Sequence, residues 1–464
     1  MRKFKLKQLV ACMILAQAPN AYSEDLMAIY QQALEADPES KAAAISIEIV
    51  KEQTGEALGE MLPQINGSAN WSANNTRSVI TKGHTTNNYD GKRYYASINQ
   101  SLFDFAKFWN WRRANTVEEQ YNAENIAAQH ALIHKVVEKY FGVLEAEDQL
   151  YFYQTEKNAM AKRLEQTQKQ FAKQLVKITD VYEVEARLDQ LKASEIEAET
   201  IVVTAKETLK ELTNTPFSDL YKLKDNVDYK PLDGQLEQWI EVAKSENPSL
   251  AAQIKAIEAA RDSIIVQTAK FLPVVDLQLN WSDNTNAGYQ NANSQLSFYE
   301  TQVAAINIQV PIFDGGVSIH RMLESKHKLE LAKNENEAKI RALIKETSDS
   351  FLSSNASVRR IEASRKAVAS AAKSREANEH GFKLGVKTVT DILNAQQEEF
   401  KAKRELSQSK YAYIKNRARF MRSVGMITEQ NIQEVNNWLQ PKSLVLPVEP
   451  IENKEDKTEI KPSV

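Results

Sequence analysis

FAKQLVKITDVYEVEAR (Phe171–Arg187) and FKLGVKTVTDILNAQ (Phe382–Gln396) are two copies of one motif. In each, a phenylalanine precedes an aspartate by nine positions (180 − 171 and 391 − 382), with Val-Lys and Thr-Asp between. Both sit between long runs rich in Ala, Glu, Lys, Gln and Leu, side chains that lose little freedom in a helix. The motif reads as a short charged break between helices, made twice.

Repetition extends outward from it. LMAIYQQALEADPES at Leu26 has a partner in LEQWIEVAKSENPSL at Leu236, and Pro38, Pro63, Trp71, Phe103 and Asp104 recur as Pro248, Pro273, Trp281, Phe313 and Asp314. The offset is 210 throughout (248 − 38, 313 − 103) and 211 at the motif (382 − 171). The pattern is that of a tandem duplication. The expected halves are residues 24–213 and 235–425, joined by a linker over 214–234, with 426–440 as a further small region beside it and a disordered tail over 441–464.

Each half predicts the same parts. A helix of about 35 residues ends before Pro63 or Pro273, since proline bars its continuation. An alternating stretch follows: Ile65, Gly67, Ala69 and Trp71 in one half, and Val275, Leu277, Leu279 and Trp281 in the other. After a polar loop a second alternation returns, through Tyr94, Ala96, Ile98 and Leu102, or Ala304, Ile306, Ile308 and Ile312. These are two β-hairpins, over 64–103 and 273–313. A helix of about 70 residues, about 100 Å long at 1.5 Å per residue, then runs to the motif, and another helix returns.

With 59 basic and 62 acidic side chains, the 464-residue chain advertises no nucleic-acid surface. Its first 23 residues have a basic start, a short apolar core, and Ala21 and Ser23 at −3 and −1 of an expected cleavage site. Removing Arg2, Lys3, Lys5 and Lys7 takes the formal charge from −3 to −7 (−3 − 4). The single cysteine, Cys12, lies within that segment; the apolar stretch before it is too short for a lipoprotein box, so lipidation is not expected. No apolar run reaches the length of a membrane helix. Two hairpins cannot enter a bilayer alone, because open edges leave backbone groups unpaired in hydrocarbon: either several chains close one barrel, or the hairpins pack as a water-soluble β-domain at the end of a helical rod.

The order of parts resembles the TolC family of outer-membrane efflux and secretion channels over about residues 25–439. LPQINGSANWS, SLFDFAKFWNW, LPVVDLQLNWS and PIFDGG carry the resemblance, together with the opening motif copies and LMAIYQQALEADPE. What it implies is a mainly helical homotrimer: a twelve-stranded outer-membrane barrel, four strands per chain, continuing into a periplasmic coiled-coil tunnel. It also implies docking of a periplasmic adaptor protein and an inner-membrane ABC or RND transporter. The motif copies become the periplasmic tips. Asp391 and Asn394 would line the pore constriction, and Thr179, Asp180, Phe382 and Lys387 would form a latch, with Lys387 paired to Asp180 within a subunit or across to the next. Gln174, Leu175, Val176, Gly385 and Val386 would shape the tip turns that meet the adaptor. A ring of Asp391 carboxylates would raise some of their pKa values.

The chain departs from that pattern. Many relatives have tyrosine, arginine and a second aspartate where Phe382, Lys387 and Asn394 stand, and glycine where Gln174 stands. Plainer readings exist beside these. Asp180 and Asp391 also read as helix N-caps, and the aspartate of Asp314-Gly-Gly as the cap of a strand-to-helix turn. Trp109 and Trp111 read as interfacial anchors or core, and His130 and His134 as a solvated helix face rather than metal ligands. No nucleophile elbow, phosphate loop or cofactor motif occurs, so an enzyme is not expected. The function expected is a passive outer-membrane exit duct; the rival is a water-soluble periplasmic rod that never forms a barrel.

Overall fold

The structure, a computed structural model, describes residues 24–80, 83–217, 219–285 and 298–442. The expected signal segment, Cys12 and nearly all of the tail lie outside them. Helices α1 (Leu26–Ala36) and α2 (Pro38–Gly59) lead into strands β1 (Gln64–Ile80) and β2 (Gly83–Phe103). Helices α3 (Phe105–Ala172) and α4 (Ile178–Thr213) follow, then the two-residue strand β3 (Lys222–Leu223). The order repeats with α5 (Leu236–Glu246), α6 (Pro248–Ala269), β4 (Val274–Thr285), β5 (Phe298–Gln309), α7 (Val317–Lys383) and α8 (Val389–Ser423). A short α9 (Glu429–Asn436) and β6 (Leu439–Gln440) end the described chain.

The single helix expected before each hairpin is broken in two. Pro38 and Pro248 force their predecessors out of helical geometry, and Asp37 (ψ 119°) and Asn247 (ψ 115°) take extended backbone and cap the next helix with their side chains. The long helices do match expectation: α3 has 68 residues and α7 has 67, each about 100 Å at 1.5 Å per residue. The Asp314-Gly-Gly turn is also as read. Asp314 accepts from the Gly316 and Ser318 N–H groups, while Gly315 and Gly316 take φ of 72° and 86°.

One antiparallel sheet joins the hairpins in the order β1-β2-β4-β5. Its register sorts the side chains. Ile65, Ile98, Leu279 and Ala304 share one rung, and Leu277 with Ile306, and Val275 with Ile308, continue the same face. Gln64, Asn99 and Gln278 lie on the other, where Tyr95 donates to Asn280 at 2.8 Å and Asn307 to Gln278 at 2.9 Å. Along β1, Trp71, Ala73, Asn75 and Arg77 are exposed while Ser72, Asn74 and Thr76 are half-covered, so the polar face is there the more covered one. Leu102 departs from the alternation: it falls in a bulge between Ser101 and Phe103, and Phe103 stands opposite Val275 in its place.

The polar loop expected in the first hairpin is largely strand. β1 and β2 stay paired from Gln64↔Asn99 to Ile80↔Gly83, and β4 accompanies β2 to Lys92↔Thr285, its last described residue. The polar β1–β2 ribbon continues past that rung, and Trp71 against Tyr94 (ring centroids 5.9 Å apart) marks its base. Below the sheet, Phe105, Phe108, Trp109 and Trp111 form an aromatic cluster at the start of α3.

Where the helices meet the linker, Leu26, Tyr140, Phe141, Tyr413, Ile414 and Ile432 join the main apolar core. Tyr140 donates to the Glu24 and Tyr221 carbonyls and Tyr413 to that of Lys230, fastening the linker to the bundle. Strand β3 pairs with β6, so 219–223 and 429–440 form one small region with the start of the chain. The turn after α8 is tight: Gly425 has φ +75°, and a Cβ there would lie 2.4 Å from the Glu246 carbonyl oxygen.

Gly425→Ala should therefore destabilise the protein by more than about 2 kcal/mol, the left-handed backbone penalty plus a backbone clash. Gly385→Ala, with φ +76° but open space around it, should cost only the penalty of about 1 kcal/mol. Thermal unfolding followed by circular dichroism separates the two; equal midpoints would contradict the tight approach at Gly425.

Candidate functional site at the helical tips

Both motif copies form the same turn. At the second tip, Val386 N–H reaches the Gly381 carbonyl and Gly385 N–H that of Phe382; at the first, Leu175 N–H reaches Gln170 and Gln174 N–H reaches Phe171. These paired bonds close a helix end around one left-handed residue. Gly385 fills that position at no steric cost, whereas Gln174 is forced to φ 59°. The turn demands a glycine that the first copy lacks.

The next helices start unequally too. Thr388 is the N-cap of α8: its hydroxyl accepts the Asp391 N–H at 3.2 Å, and Asp391 accepts the Thr388 N–H at 2.9 Å. Asp180 likewise accepts the Lys177 N–H at 3.1 Å, but Lys177 has no side-chain acceptor to return the bond. Asp180 and Asp391 are therefore not N-caps, as their spacing implied, but the third residues of their helices. The Thr388 N–H and hydroxyl, with Lys387 nearby, hold the Asp391 carboxyl below the usual aspartate range. Its contribution to the cap is thus present above that range and fades only as pH falls through the depressed value. The shift within one chain is opposite to the rise expected of a carboxylate ring.

Lys387 makes no ion pair with Asp180 inside the chain; its side chain lies against Gly381 and its charge acts on Asp391. Phe382 packs against the cluster of Met160, Val184, Leu188, Leu191, Val389 and Leu393, so its work here is apolar packing. Thr179 is exposed and Asp180 half-exposed. The direct bond between tips was not anticipated: Thr390 donates to Glu183 at 2.8 Å. Both residues stand in the motif copies, but lateral pairing across 207 positions leaves no mark in either.

Above the tips a polar seam joins α3 to α7 and α8. Arg163 pairs with Glu379, Arg375 with Glu379 and Glu399, and Lys403 with Glu399. Arg404 meets Glu156 at 2.7 Å, with Glu156 only 1% exposed, and stacks over Tyr153. Higher still, Asp148 accepts from Ser407 and Tyr411. On α8 the covered side carries Val389, Ile392, Leu393, Ala395 and Gln396, which leaves Asp391 and Asn394 on the uncovered side. Leu175, Leu384 and Val386, 69%, 79% and 75% exposed, crown the tips with apolar surface that nothing in this chain covers.

His130 and His134 do not form a solvated face. Burial pushes both imidazoles below their usual range, and His134 lies beside Glu138 and the Arg422 charge. Among the described residues no group of three His, Cys, Asp or Glu side chains could hold a metal.

The sequence model described as "Outer membrane efflux protein" matches residues 29–215 and 239–426. Outer membrane protein TolC of Vibrio cholerae is 29% identical over 425 residues, spanning 90% of this chain and 94% of that protein. The alkaline protease secretion protein AprF of Pseudomonas aeruginosa is 28% identical over 440 residues, 92% of this chain and 90% of its own. Among solved structures, the Campylobacter jejuni CmeC outer membrane channel superposes with a TM-score of 0.76 at 16% identity, covering 90% of each chain.

The two tips should differ in local stability. Thr388→Ala should speed exchange of the Asp391 amide about three- to tenfold, the equivalent of losing a cap of about 1 kcal/mol. Gln174→Gly should slow exchange at the first tip by a similar factor. Hydrogen exchange read by mass spectrometry checks both, and an unchanged first tip would show that Gln174 carries no strain.

Proposed function

The chain belongs to the outer membrane efflux protein family, and from that premise we propose in detail how it works as an outer-membrane exit duct for efflux and type I secretion. The observation that carries the reading is the sheet: one apolar face, one polar face, and two edges, β1 and β5, with no partner strand among the described residues. In hydrocarbon those edges require partners. Three copies, each giving four strands, would close a barrel of about twelve, within the range of outer-membrane barrels. The repeated element order and the two family matches support the tandem duplication. A water-soluble rod is not favoured, because it would leave the face of Ile98, Leu279, Ile306 and Ile308 in water.

In this duct α3, α4, α7 and α8 form the wall of a periplasmic tunnel, and the chain does no chemistry. A periplasmic adaptor and an inner-membrane ABC or RND transporter supply docking and energy, with the crown of Leu175, Val176, Gly385 and Val386 as the adaptor contact. The signal peptide directs export and is cleaved after Ser23. Asp391 and Asn394, on the uncovered side of α8, narrow the entrance. Lys387, free of Asp180 within its own chain, pairs with Asp180 of the neighbouring subunit as the latch. For so exposed a pair the net gain is about 0–1 kcal/mol, and with Phe382 offering no hydroxyl the resting duct is loosely closed.

Two experiments test the reading. Ile308→Arg should lower the yield of heat-modifiable trimer, the lipid-face cost being about 2–4 kcal/mol near the midplane, while Asn280→Arg should be tolerated. Equal tolerance rejects the face assignment. In planar bilayers, a trivalent cation on the periplasmic side should block the parent, more tightly after Asn394→Asp and weakly after Asp391→Ala, with Lys387→Ala raising the resting conductance. Undiminished block in Asp391→Ala would move the entrance elsewhere.

A further inference from the structure

Where strand gives way to helix, the polar side of the sheet opens onto a cavity of about 550 Å³ between α3 and α6. Its position follows from the register. Lys107 donates from Nζ to Ser101 Oγ at 2.7 Å, and Ser101 stands opposite Asp276 on the Gln278 and Asn280 side. Val274 and Gln309, paired with each other, close its upper end. Gln309 and Pro311 place it at the foot of the edge strand β5, with Val274 of β4 beside them.

Its lining carries three cations and two carboxylates, and the Arg113 charge also acts on the Asp262 carboxyl. Lys107, Arg113 and Lys270 face it, and none of them has an ion pair among the described residues. The Arg113 guanidinium donates from one terminal nitrogen to Asn110 at 3.0 Å, but its buried Nε has no acceptor, and the buried Gln267 Oε1 has no donor. Two carboxylates stand at the cavity. Asp104 is occupied in capping α3, accepting the Lys107 N–H at 3.1 Å; Glu60 is exposed. A buried donor without an acceptor is a standing cost, and a guanidinium fork matches the two oxygens of a carboxylate or phosphate.

We propose that this cavity is a luminal binding site for the carboxylate or phosphate group of a passing solute, held by Arg113, Lys107 and Lys270. Glu60 at the rim answers an ammonium on the same molecule, so zwitterions are accommodated. The site counterbalances the acidic tip: cations are selected at the entrance, and anions are held where the tunnel meets the barrel. The inference rests on the duct reading, which makes the polar face the lumen.

The test is single-channel recording in neutral monoglyceride bilayers, which contain no lipid phosphate, with inorganic pyrophosphate as the probe. Pyrophosphate should reduce the parent's conductance. The triple variant K107Q/R113Q/K270Q should need at least about tenfold more for half-block, as expected when charge-assisted bonds are removed, and its reversal potential in a salt gradient should shift towards cation selectivity. Should the triple variant fail to assemble, Arg113→Gln and Arg113→Lys take its place, with the lysine variant blocking more readily than the glutamine. No block of the parent, or equal block in the variants, overturns the site while leaving the duct intact. Absence of any channel from folded protein overturns the duct itself. Phosphorus analysis of the purified parent supplies the remaining arm: a phospholipid retained by the parent and lost from the triple variant would assign the cavity to a lipid headgroup and overturn the solute reading.

Discussion

The buried contact of Arg404 with Glu156 sets the longitudinal register of the long helices. Helices of 68 and 35 residues packed side by side have many nearly equivalent ways to slide, because apolar seams repeat every turn or two. A carboxylate sealed between them has one acceptable partner, and losing it leaves an uncompensated charge. With α3 and α8 fixed at that level, the lower elements fall into place: the Met160–Leu393 cluster, the Arg375 and Glu399 pairs, and the Thr390 bond to Glu183. The tips meet because the helices above them cannot slip.

A second constraint acts at the opposite end. There the sheet has apolar side chains on one face, Asn, Gln and Ser ladders on the other, and unpaired backbone at both margins. Such a sheet is incomplete alone, and the bulge at Leu102 bends it where strand must turn into helix. In the proposed duct the ends divide the labour: backbone hydrogen bonding governs assembly above, and side-chain charge governs closure below.

Much of this was legible from spacing. A constant offset located corresponding parts, and strict alternation gave the correct face for Ile98, Leu279 and Ile308, because side chains in a strand have period two and nothing in those stretches breaks it. Leu102 was misplaced because a bulge adds a residue without any sequence mark. The polar stretch after Trp71 read as loop because a ribbon wet on both faces shows no hydrophobic alternation, though it pairs regularly. Asp391 also reads as an N-cap because threonine precedes it; the hydroxyl that caps belongs to Thr388, three positions before Asp391. The partners of Thr390 and Arg404, and the gathering of Lys107, Arg113 and Lys270, depend on which helices lie side by side. That is set by packing between segments far apart in the chain.

The β1–β2 ribbon past Trp71 stands apart from both constraints. Its rungs are joined by backbone bonds and by contacts such as Asn75 with Asn88, and Ala73, Asn75 and Arg77 are exposed. In the proposed duct, substitutions at such positions leave barrel closure and tip register untouched, so this segment is at liberty to drift. In the proposed duct it faces the outside world. The protein's surface identity, as met by an antibody or a virus, is thereby uncoupled from the conduit beneath, and lineages under attack from outside can change the one without relearning the other.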